Sequence, residues 1–185
     1  MKTLIRYFLI CFITLSPALC RAEVRCKAHN FHGMFTAKPE ALLDVTDDNH
    51  VGTSVEDSMV YTCSGGAKFF YYGGIPGGEL AIYLDATSAQ VITTPIQNLS
   101  QIVVTYLPAN DLYPPIVEVL SATGEEWNVL SPVKISTTSK AYNVPFVGDY
   151  YVRIKRNGSN NAYIKIVEYC RIDLSGCPNC FIYKP

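Results

Sequence analysis

The sequence has few charged side chains and few residues of the kinds that build enzyme active sites. Charged residues make up only 17% of its 185 residues, and it contains one tryptophan and three histidines. Hydrophobic residues reach 49%, which excludes a disordered chain, because disorder requires low hydrophobicity and high net charge. Without the three basic residues among the first 22, the net charge is about −4. Such a chain lacks the basic surface expected of a nucleic-acid-binding protein.

A hydrophobic run long enough to span a bilayer is also missing. The apolar stretch from Phe8 to Leu15 follows two basic residues and is shorter than the roughly 20 residues that a transmembrane helix needs. We predict that residues 1–22 form a signal peptide, cut after Ala22, and that the mature chain is secreted or lies in the cell envelope. Lipidation of Cys20 is the weaker alternative, because a bulky leucine precedes it.

Catalytic motifs are absent as well. Ser64 does not lie in the G-x-S-x-G turn of a hydrolase. Glu125 and Glu126 are adjacent in a turn and would diverge, whereas glycoside cleavage needs two facing carboxylates. Cys177-x-x-Cys180 is not followed by a segment able to form the helix that activates a redox dithiol. We therefore predict no enzymatic activity, with a glycan-active hydrolase as the third choice of function.

The dominant pattern is a series of short segments with alternating polarity. Leu80, Ile82 and Leu84 share one face of such a segment, while Tyr83 lies on the other. Turn sequences such as Asn157-Gly158 separate the segments at spacings of about 8–12 residues. The predicted strands cover residues 58–63, 67–72, 79–84, 89–93, 100–107, 115–121, 126–131, 141–146, 149–156 and 161–169.

This spacing predicts an all-β fold, an antiparallel β-sandwich of the jelly-roll type, in a single domain. The sandwich is expected over residues 58–170. Residues 23–57 are expected to form an irregular N-terminal segment that packs on the domain, and residues 171–185 a cysteine-containing tail.

The order of several segments is similar to that of a known family. The strand 101–107, the turn Gly124-Glu125-Glu126-Trp127, the strand 148–154 with its arginine, and the closing strand 163–169 follow one another. This order resembles a galactose-binding-like, discoidin-type domain. The resemblance implies a jelly roll that binds its ligand in the loops at one end, and it often implies a structural calcium ion.

A calcium ion is the one cofactor predicted. The stretch 44–49 is rich in oxygen ligands, which hard cations prefer. Glu168 shares a strand face with Ile164 and Ile166, so its carboxylate is expected in phase with the core, where it needs a cation or hydrogen-bond donors. The resemblance then assigns the calcium ligands to Asp44, Asp47, Asp48 and Glu168.

Five cysteines remain after the predicted signal peptide: Cys26, Cys63, Cys170, Cys177 and Cys180. In an oxidising compartment two disulfides and one remaining thiol are favoured. One pairing joins Cys26 to Cys63 and uses two of the last three cysteines for the tail, although the sequence does not fix the connectivity. The alternative is a zinc site formed by Cys26, His29 and His32 and completed by Cys177 and Cys180.

Aromatic residues near loops are the best candidates for ligand binding. Sugars are bound by aromatic rings and a few fixed polar groups. The candidates are Tyr71, Tyr72, Tyr113, Trp127 and Arg153, and Trp127 is also a candidate for the inter-sheet core. We predict a secreted, non-catalytic module that recognises an extracellular glycan or another cell-surface component, with no nucleic-acid partner and no membrane span in the mature chain. The alternative is a structural or adhesive envelope protein that assembles with other chains.

Overall fold

The computed structural model describes residues 22–31, 43–45, 50–54, 57–72, 79–107, 112–159, 161–173 and 175. All regular structure in these ranges is β-strand. The same ranges contain no helix that is long and apolar enough to cross a membrane. The strands are β1 (Glu23–Asn30), β2 (Leu43–Val45), β3 (Val51–Ser54), β4 (Val60–Ser64), β5 (Ala67–Tyr72), β6 (Glu79–Leu84), β7 (Gln90–Thr93), β8 (Ile96–Leu107), β9 (Ile116–Ser121), β10 (Asn128–Val129), β11 (Pro132–Lys134), β12 (Ser139–Lys155) and β13 (Ala162–Asp173).

The strands form one antiparallel sheet with the order β2-β3-β4-β7-β12-β8-β13-β6-β5. Beside this path, β1 pairs with β13, β11 and β9 pair with β12, and β10 pairs with β9. The long strand β12 pairs with β8 in its first half and with β9 and β7 in its second. The sheet curls until β5 contacts β3 and β4, which makes it nearly barrel-shaped. The predicted all-β, antiparallel sandwich is therefore confirmed.

The core is filled by one face of each strand. In β8 the alternate residues Ile102, Val104 and Tyr106 are buried, as the two-residue repeat of a strand requires. Leu80, Ile82 and Leu84 are fully buried on β6, as their alternation predicts.

The contact between β3 and β5 depends on a glycine. A Cβ atom on Gly52 would lie 2.5 Å from Cζ of Phe69, a buried core residue. Any larger residue at this position would therefore have to displace the Phe69 ring.

The N-terminal segment departs from its prediction. Residues 23–57 were expected to be irregular, but β1, β2 and β3 lie within them. The sequence of β1, EVRCKAHN, is polar, and its pairing partner β13 is more than a hundred residues away. Likewise, β13 continues to Asp173, beyond the predicted domain boundary at residue 170. The predicted signal peptide, apart from Ala22, and most of the predicted tail lie outside the described residues.

Candidate functional site

Two of the predicted ligand-binding residues lie together on the outer face of β9 and β12. The guanidinium of Arg153 stacks on the Trp127 ring, with 4.1 Å between its carbon and the ring centroid. Arg153 also donates a hydrogen bond to Glu118, and Lys155 Nζ lies 3.2 Å from the other oxygen of that carboxylate. We call Glu118, Trp127, Arg153 and Lys155 the Glu118 cluster. Trp127 is half-buried on the outside of the sheet, so its alternative place in the inter-sheet core is wrong.

The Glu118 cluster is largely closed to a ligand. Arg153 covers one face of the indole ring, and the side chain of Glu118 is only 7% exposed. The carboxylate has two cationic partners, so its negative charge is neutralised within the cluster, which keeps a net charge of +1. The cluster therefore stabilises the pairing of β9 with β12 and does not offer an open surface for a sugar.

The predicted tyrosines do not join Trp127 and Arg153. Tyr113 is exposed and lies against Gly158, and Asn157 donates a 2.9 Å hydrogen bond to the nearby Pro114 carbonyl. Tyr113 precedes the start of β9, whereas Trp127 lies beside the end of that strand. Tyr71 and Tyr72 end β5, with Leu80 and Glu79 as their Cα partners, and their side chains lie outside the description.

Of the four predicted calcium ligands, Glu168 is the one whose side chain the structure describes. Glu168 is half-exposed, and its predicted position in phase with the core is wrong. The register of β13 shifts between Ile164 and Ile166, so the buried face changes from Ile164 to Val167. Asp44, in β2, is the Cα partner of Thr53 in β3. Asp47 and Asp48 lie outside the described residues.

The cysteines pair differently from the predicted connectivity. Cys26 and Cys170 are directly opposite each other on β1 and β13 and form a disulfide. The pairing of Cys26 with Cys63 is therefore wrong; Cys63 is a buried free thiol, and burial raises its pKa to about 12. Cys177 and Cys180 lie outside the described residues.

The disulfide also makes Cys26 and Cys170 unavailable as thiolate ligands of a metal ion. Within the described ranges, the one group of three metal-ligating side chains is Cys26, Glu168 and Cys170, and both of its cysteines are oxidised. The zinc alternative loses Cys26 in the same way, and its His32 lies outside the described residues. A structural calcium ion thus remains a prediction from the sequence.

His29 lies in a buried polar cluster beside the disulfide. Its Nε2 donates to Asp57 over 3.2 Å, and its Nδ1 lies 2.6 Å from the hydroxyl of Tyr61. Tyr169 donates to the same Asp57 oxygen, and Lys27 Nζ lies 3.7 Å from it. We call His29, Asp57, Tyr61 and Tyr169 the Asp57 cluster.

Burial distinguishes this cluster from a catalytic triad. His29 is 0% exposed, so no substrate reaches its imidazole. Burial raises the pKa of Asp57, but hydrogen bonds from Tyr169 and Met59 and the nearby His29 outweigh it and hold that pKa well below its usual range. Burial also raises the pKa of Tyr61 far above that of a free tyrosine. The cluster joins β1, β4 and β13 and is structural.

A different set of aromatic residues forms an open surface on the outer face of β5, β6 and β13. The rings of Tyr83 and Tyr163 are stacked, with centroids 4.6 Å apart, and the ring of Phe70 lies 5.6 Å from that of Tyr83. Phe70 is 39% exposed, and both tyrosines are half-buried. We call these three residues the aromatic ridge.

Polar groups flank the aromatic ridge. Asn161 Nδ2 donates a 2.6 Å hydrogen bond to the Tyr83 hydroxyl oxygen, which leaves that O–H free to donate. Lys68 Nζ lies 5.8 Å from the Phe70 ring centroid and 6.0 Å from that of Tyr83. Lys68 forms no ion pair with any carboxylate that the structure describes. Rings beside a hydroxyl, an amide and an ammonium group provide both kinds of contact that a sugar requires.

Sequence reasoning missed the ridge, although a signal was present. Alternation in β6 already places Tyr83 on the face opposite its buried neighbours. The missing information was the pairing of Tyr83 with Lys68 on one side and with Tyr163 on the other.

Comparison with known proteins gives distant structural similarity. No family model matches the sequence, and no curated protein matches it significantly. The K2 cleaved adhesin domain of Lys-gingipain is 14% identical, covers 78% of this chain and 99% of its own, and has a TM-score of 0.39. A low-affinity xylan-binding module from Roseburia intestinalis is 9% identical, covers 82% and 98%, and has a TM-score of 0.34.

A carbohydrate-binding module in complex with calcium and xylotriose is 14% identical, covers 59% of this chain and 98% of its own, and has a TM-score of 0.29. Similarity at these levels does not transfer function, so the inference of function below starts from the geometry of the site. The galactose-binding-like family remains a prediction.

Proposed function

We propose that the protein is an exported, non-catalytic binding module that recognises extracellular carbohydrate on the aromatic ridge. The observation that supports this proposal is the continuous surface formed by Phe70, Tyr83 and Tyr163 on an outer sheet face. A partly exposed phenylalanine on a sheet face contributes nothing to the core. It is therefore available for the apolar face of a sugar ring.

Recognition on this surface follows from two kinds of contact. The C–H face of a pyranose removes apolar area from water when it lies on the Phe70 ring, at about 25 cal/mol per Å². The Tyr83 hydroxyl and the Lys68 ammonium supply hydrogen-bond donors for ring hydroxyls. Because the ridge is open, we expect weak binding, with a Kd of about 0.1–1 mM, or about 4–5.5 kcal/mol.

A glycan array, run with the exported protein displayed multivalently in calcium-containing buffer, tests this proposal, because avidity retains a ligand whose monovalent affinity is weak. We expect saturable binding to one glycan class that becomes at least about tenfold weaker in Phe70→Ala, or about 1.4 kcal/mol. Tyr113→Ala and Trp127→Ala are the comparison variants and should bind as the unaltered protein does. Loss of binding in those two, with normal binding by Phe70→Ala, would move the site away from the ridge. A blank array from folded protein would overturn carbohydrate recognition on the aromatic ridge.

Assembly with other chains is the second candidate function, because one edge of the described sheet is apolar. Val129, Val133 and Ile135 lie along β10, β11 and the turn that follows, and each is more than half exposed. Short edge strands with free backbone groups are sites for pairing with another chain. A concentration-dependent oligomer that Val133→Lys abolishes, measured by light scattering after gel filtration, would favour this function over glycan binding.

A further inference from the structure

A small depression lies where the turn after β9 meets the middle of β12. Its volume is about 220 Å³. It is lined by residues 121–123 and 146–150. We propose that this loop-end depression is a second binding site, which takes one neutral pyranose unit. Its contacts are its own, and the proposal does not depend on the aromatic ridge.

The walls of the loop-end depression are fixed by hydrogen bonds. The Ala122 amide donates to the Asp149 carbonyl over 2.8 Å, which ties the turn to β12. The Gly124 amide closes the turn by donating to the Ser121 carbonyl over 2.9 Å. The Asp149 carboxylate accepts the Asn98 amide over 3.1 Å, which ties β12 to β8. A site with walls held in this way needs little reorganisation when a ligand binds.

Phe146 is presented to solvent by an irregularity in β12. The register between β12 and β8 shifts between Asn143 and Gly148, and Phe146 lies inside this interval. Its side chain is 59% exposed, although full burial of a phenylalanine is worth about 1.5–3 kcal/mol. Bulges often redirect a side chain beside a functional site. Here the result is an exposed ring at the side of a concave surface.

Tyr150 provides a polar group within the same depression. Its hydroxyl makes no hydrogen bond to any residue that the structure describes, and it is not enclosed. Burial raises the pKa of Tyr150, so the phenol keeps its proton and is a donor at neutral pH. An accessible phenol that lacks a protein partner is available to a ligand hydroxyl.

Gly148 keeps the Tyr150 ring accessible. A Cβ atom at Gly148 would lie 3.1 Å from Cε2 of Tyr150 and 3.6 Å from its hydroxyl oxygen. A side chain there would therefore occupy the space beside the ring, and only glycine leaves that space open. The conformation of Gly148 does not require glycine, because its φ lies outside the left-handed region.

Size and charge define the ligand class. Pockets for drug-sized ligands enclose about 300–1,000 Å³, so a volume of about 220 Å³ suits one sugar ring. Ser121 Oγ and Thr123 Oγ1 share a 3.2 Å hydrogen bond, so one hydroxyl hydrogen of this pair remains for a ligand. Together with the Tyr150 hydroxyl, the pair can donate to and accept from a polyol. The one charged lining residue is Asp149, and its carboxylate disfavours an acidic sugar.

The test is to titrate simple glycosides into the isotope-labelled exported protein and to monitor binding by NMR chemical shifts. The probes are methyl glucoside, galactoside, mannoside and xyloside, with methyl glucuronide as the acidic comparison. We expect millimolar binding of at least one neutral glycoside, with shifts at Phe146 and Tyr150. Phe146→Ala should weaken this binding at least about tenfold, and Tyr150→Phe about threefold or more.

Matched variants separate this proposal from the ridge. Phe70→Ala alters the ridge and should leave glycoside shifts at Tyr150 unchanged. In that variant, the Kd of a tetrasaccharide for the depression should be within about twofold of the Kd of the monosaccharide, because a single ring fills the site. Gly148→Val should block binding, and Phe146→Ala, a surface change, keeps the test informative if Gly148→Val fails to fold.

Three results would overturn the proposal. They are the absence of shifts at Phe146 and Tyr150 with every neutral glycoside, unchanged affinity in Phe146→Ala, and glucuronide binding as tight as that of the neutral probes. A blank glycan array with positive glycoside shifts at Tyr150 would instead refute the ridge alone.

Discussion

Asp57 and Glu118 occupy similar chemical surroundings but opposite sides of the sheet. Each carboxylate accepts hydrogen bonds from two or more side chains, and each lies beside an aromatic residue. The Asp57 cluster reaches into the core and joins strands that are distant in sequence. The Glu118 cluster lies on the outer face and links neighbouring strands. The same interactions therefore stabilise tertiary structure in one place and a local strand pair in the other.

The consequence of losing each carboxylate differs because the partners differ in exposure. His29 is fully buried and has no water to replace Asp57 as its hydrogen-bond acceptor. The side chains of Arg153 and Lys155 are 19% and 34% exposed, so both can turn to solvent if Glu118 is removed. A buried polar group that loses its hydrogen-bond partner lowers the free energy of unfolding more than a surface group that can bond to water instead.

The largest expected effect is that of Asp57→Asn. Replacing one partner of a buried charged cluster should lower the free energy of unfolding by about 3–5 kcal/mol. Urea denaturation followed by tyrosine fluorescence measures this loss. Asp85→Asn is the control, since the Asp85 carboxylate makes no hydrogen bond within the described ranges, and it should change stability by less than about 0.5 kcal/mol.

The double variant Cys26→Ser with Cys170→Ser asks whether β1 is held by the disulfide or by the Asp57 cluster. The bond closes a loop of 144 residues, and its loss should lower the free energy of unfolding by about 2–4 kcal/mol. Hydrogen exchange should still show protected amides in β1, because His29 remains bonded to Asp57. Complete loss of protection in β1 would show that the disulfide alone holds it.

Acid should weaken the Asp57 cluster without mutation. The pKa of Asp57 is lower in the folded protein than in the unfolded chain, so its contribution is fully present above about pH 4. It is lost as the pH falls below that value, at up to about 1.4 kcal/mol per pH unit. Urea denaturation at pH 2.5, 3.5 and 5 measures the slope. Asp57→Asn should flatten this slope, because it removes the carboxyl whose pKa is lowered by folding.

Glu118→Gln should have a smaller effect, about 1–2 kcal/mol, since it removes charge-assisted hydrogen bonds that partly face water. Lys155→Gln should have the smallest, under about 1 kcal/mol, because half-exposed ion pairs contribute little. Thermal unfolding at low and high salt measures both. A loss from Glu118→Gln as large as that from Asp57→Asn would contradict the distinction between the two clusters.

Local sequence pattern predicted some elements well. The bounds of β5 and β6 match residues 67–72 and 79–84, because alternation and the turns around them are local properties. The predicted strands 141–146 and 149–156 are one strand, β12, whose partner changes along its length. Glu168 was assigned to the wrong face because a bulge, which local alternation does not encode, reverses the phase of β13.

Site residues were harder to predict than strands. Trp127 and Arg153 were both selected, but their mutual stacking depends on the register of β9 and β12. The aromatic ridge joins Tyr83 to Tyr163, residues far apart in sequence and brought together only by the β6–β13 pairing. Long-range pairing of this kind cannot be read from one strand at a time.

The disulfide has a mechanical consequence. It connects the first and last long strands of the described sheet, so a pulling force that enters before Cys26 and leaves after Cys170 passes through one covalent bond. The segment between the two cysteines, whose sequence separation is 144 and whose contour length is roughly 500 Å, would contribute no extension. Surfaces on that part of the sheet, including the ridge and the depression, would keep their shape under tension that unravels an uncrosslinked domain.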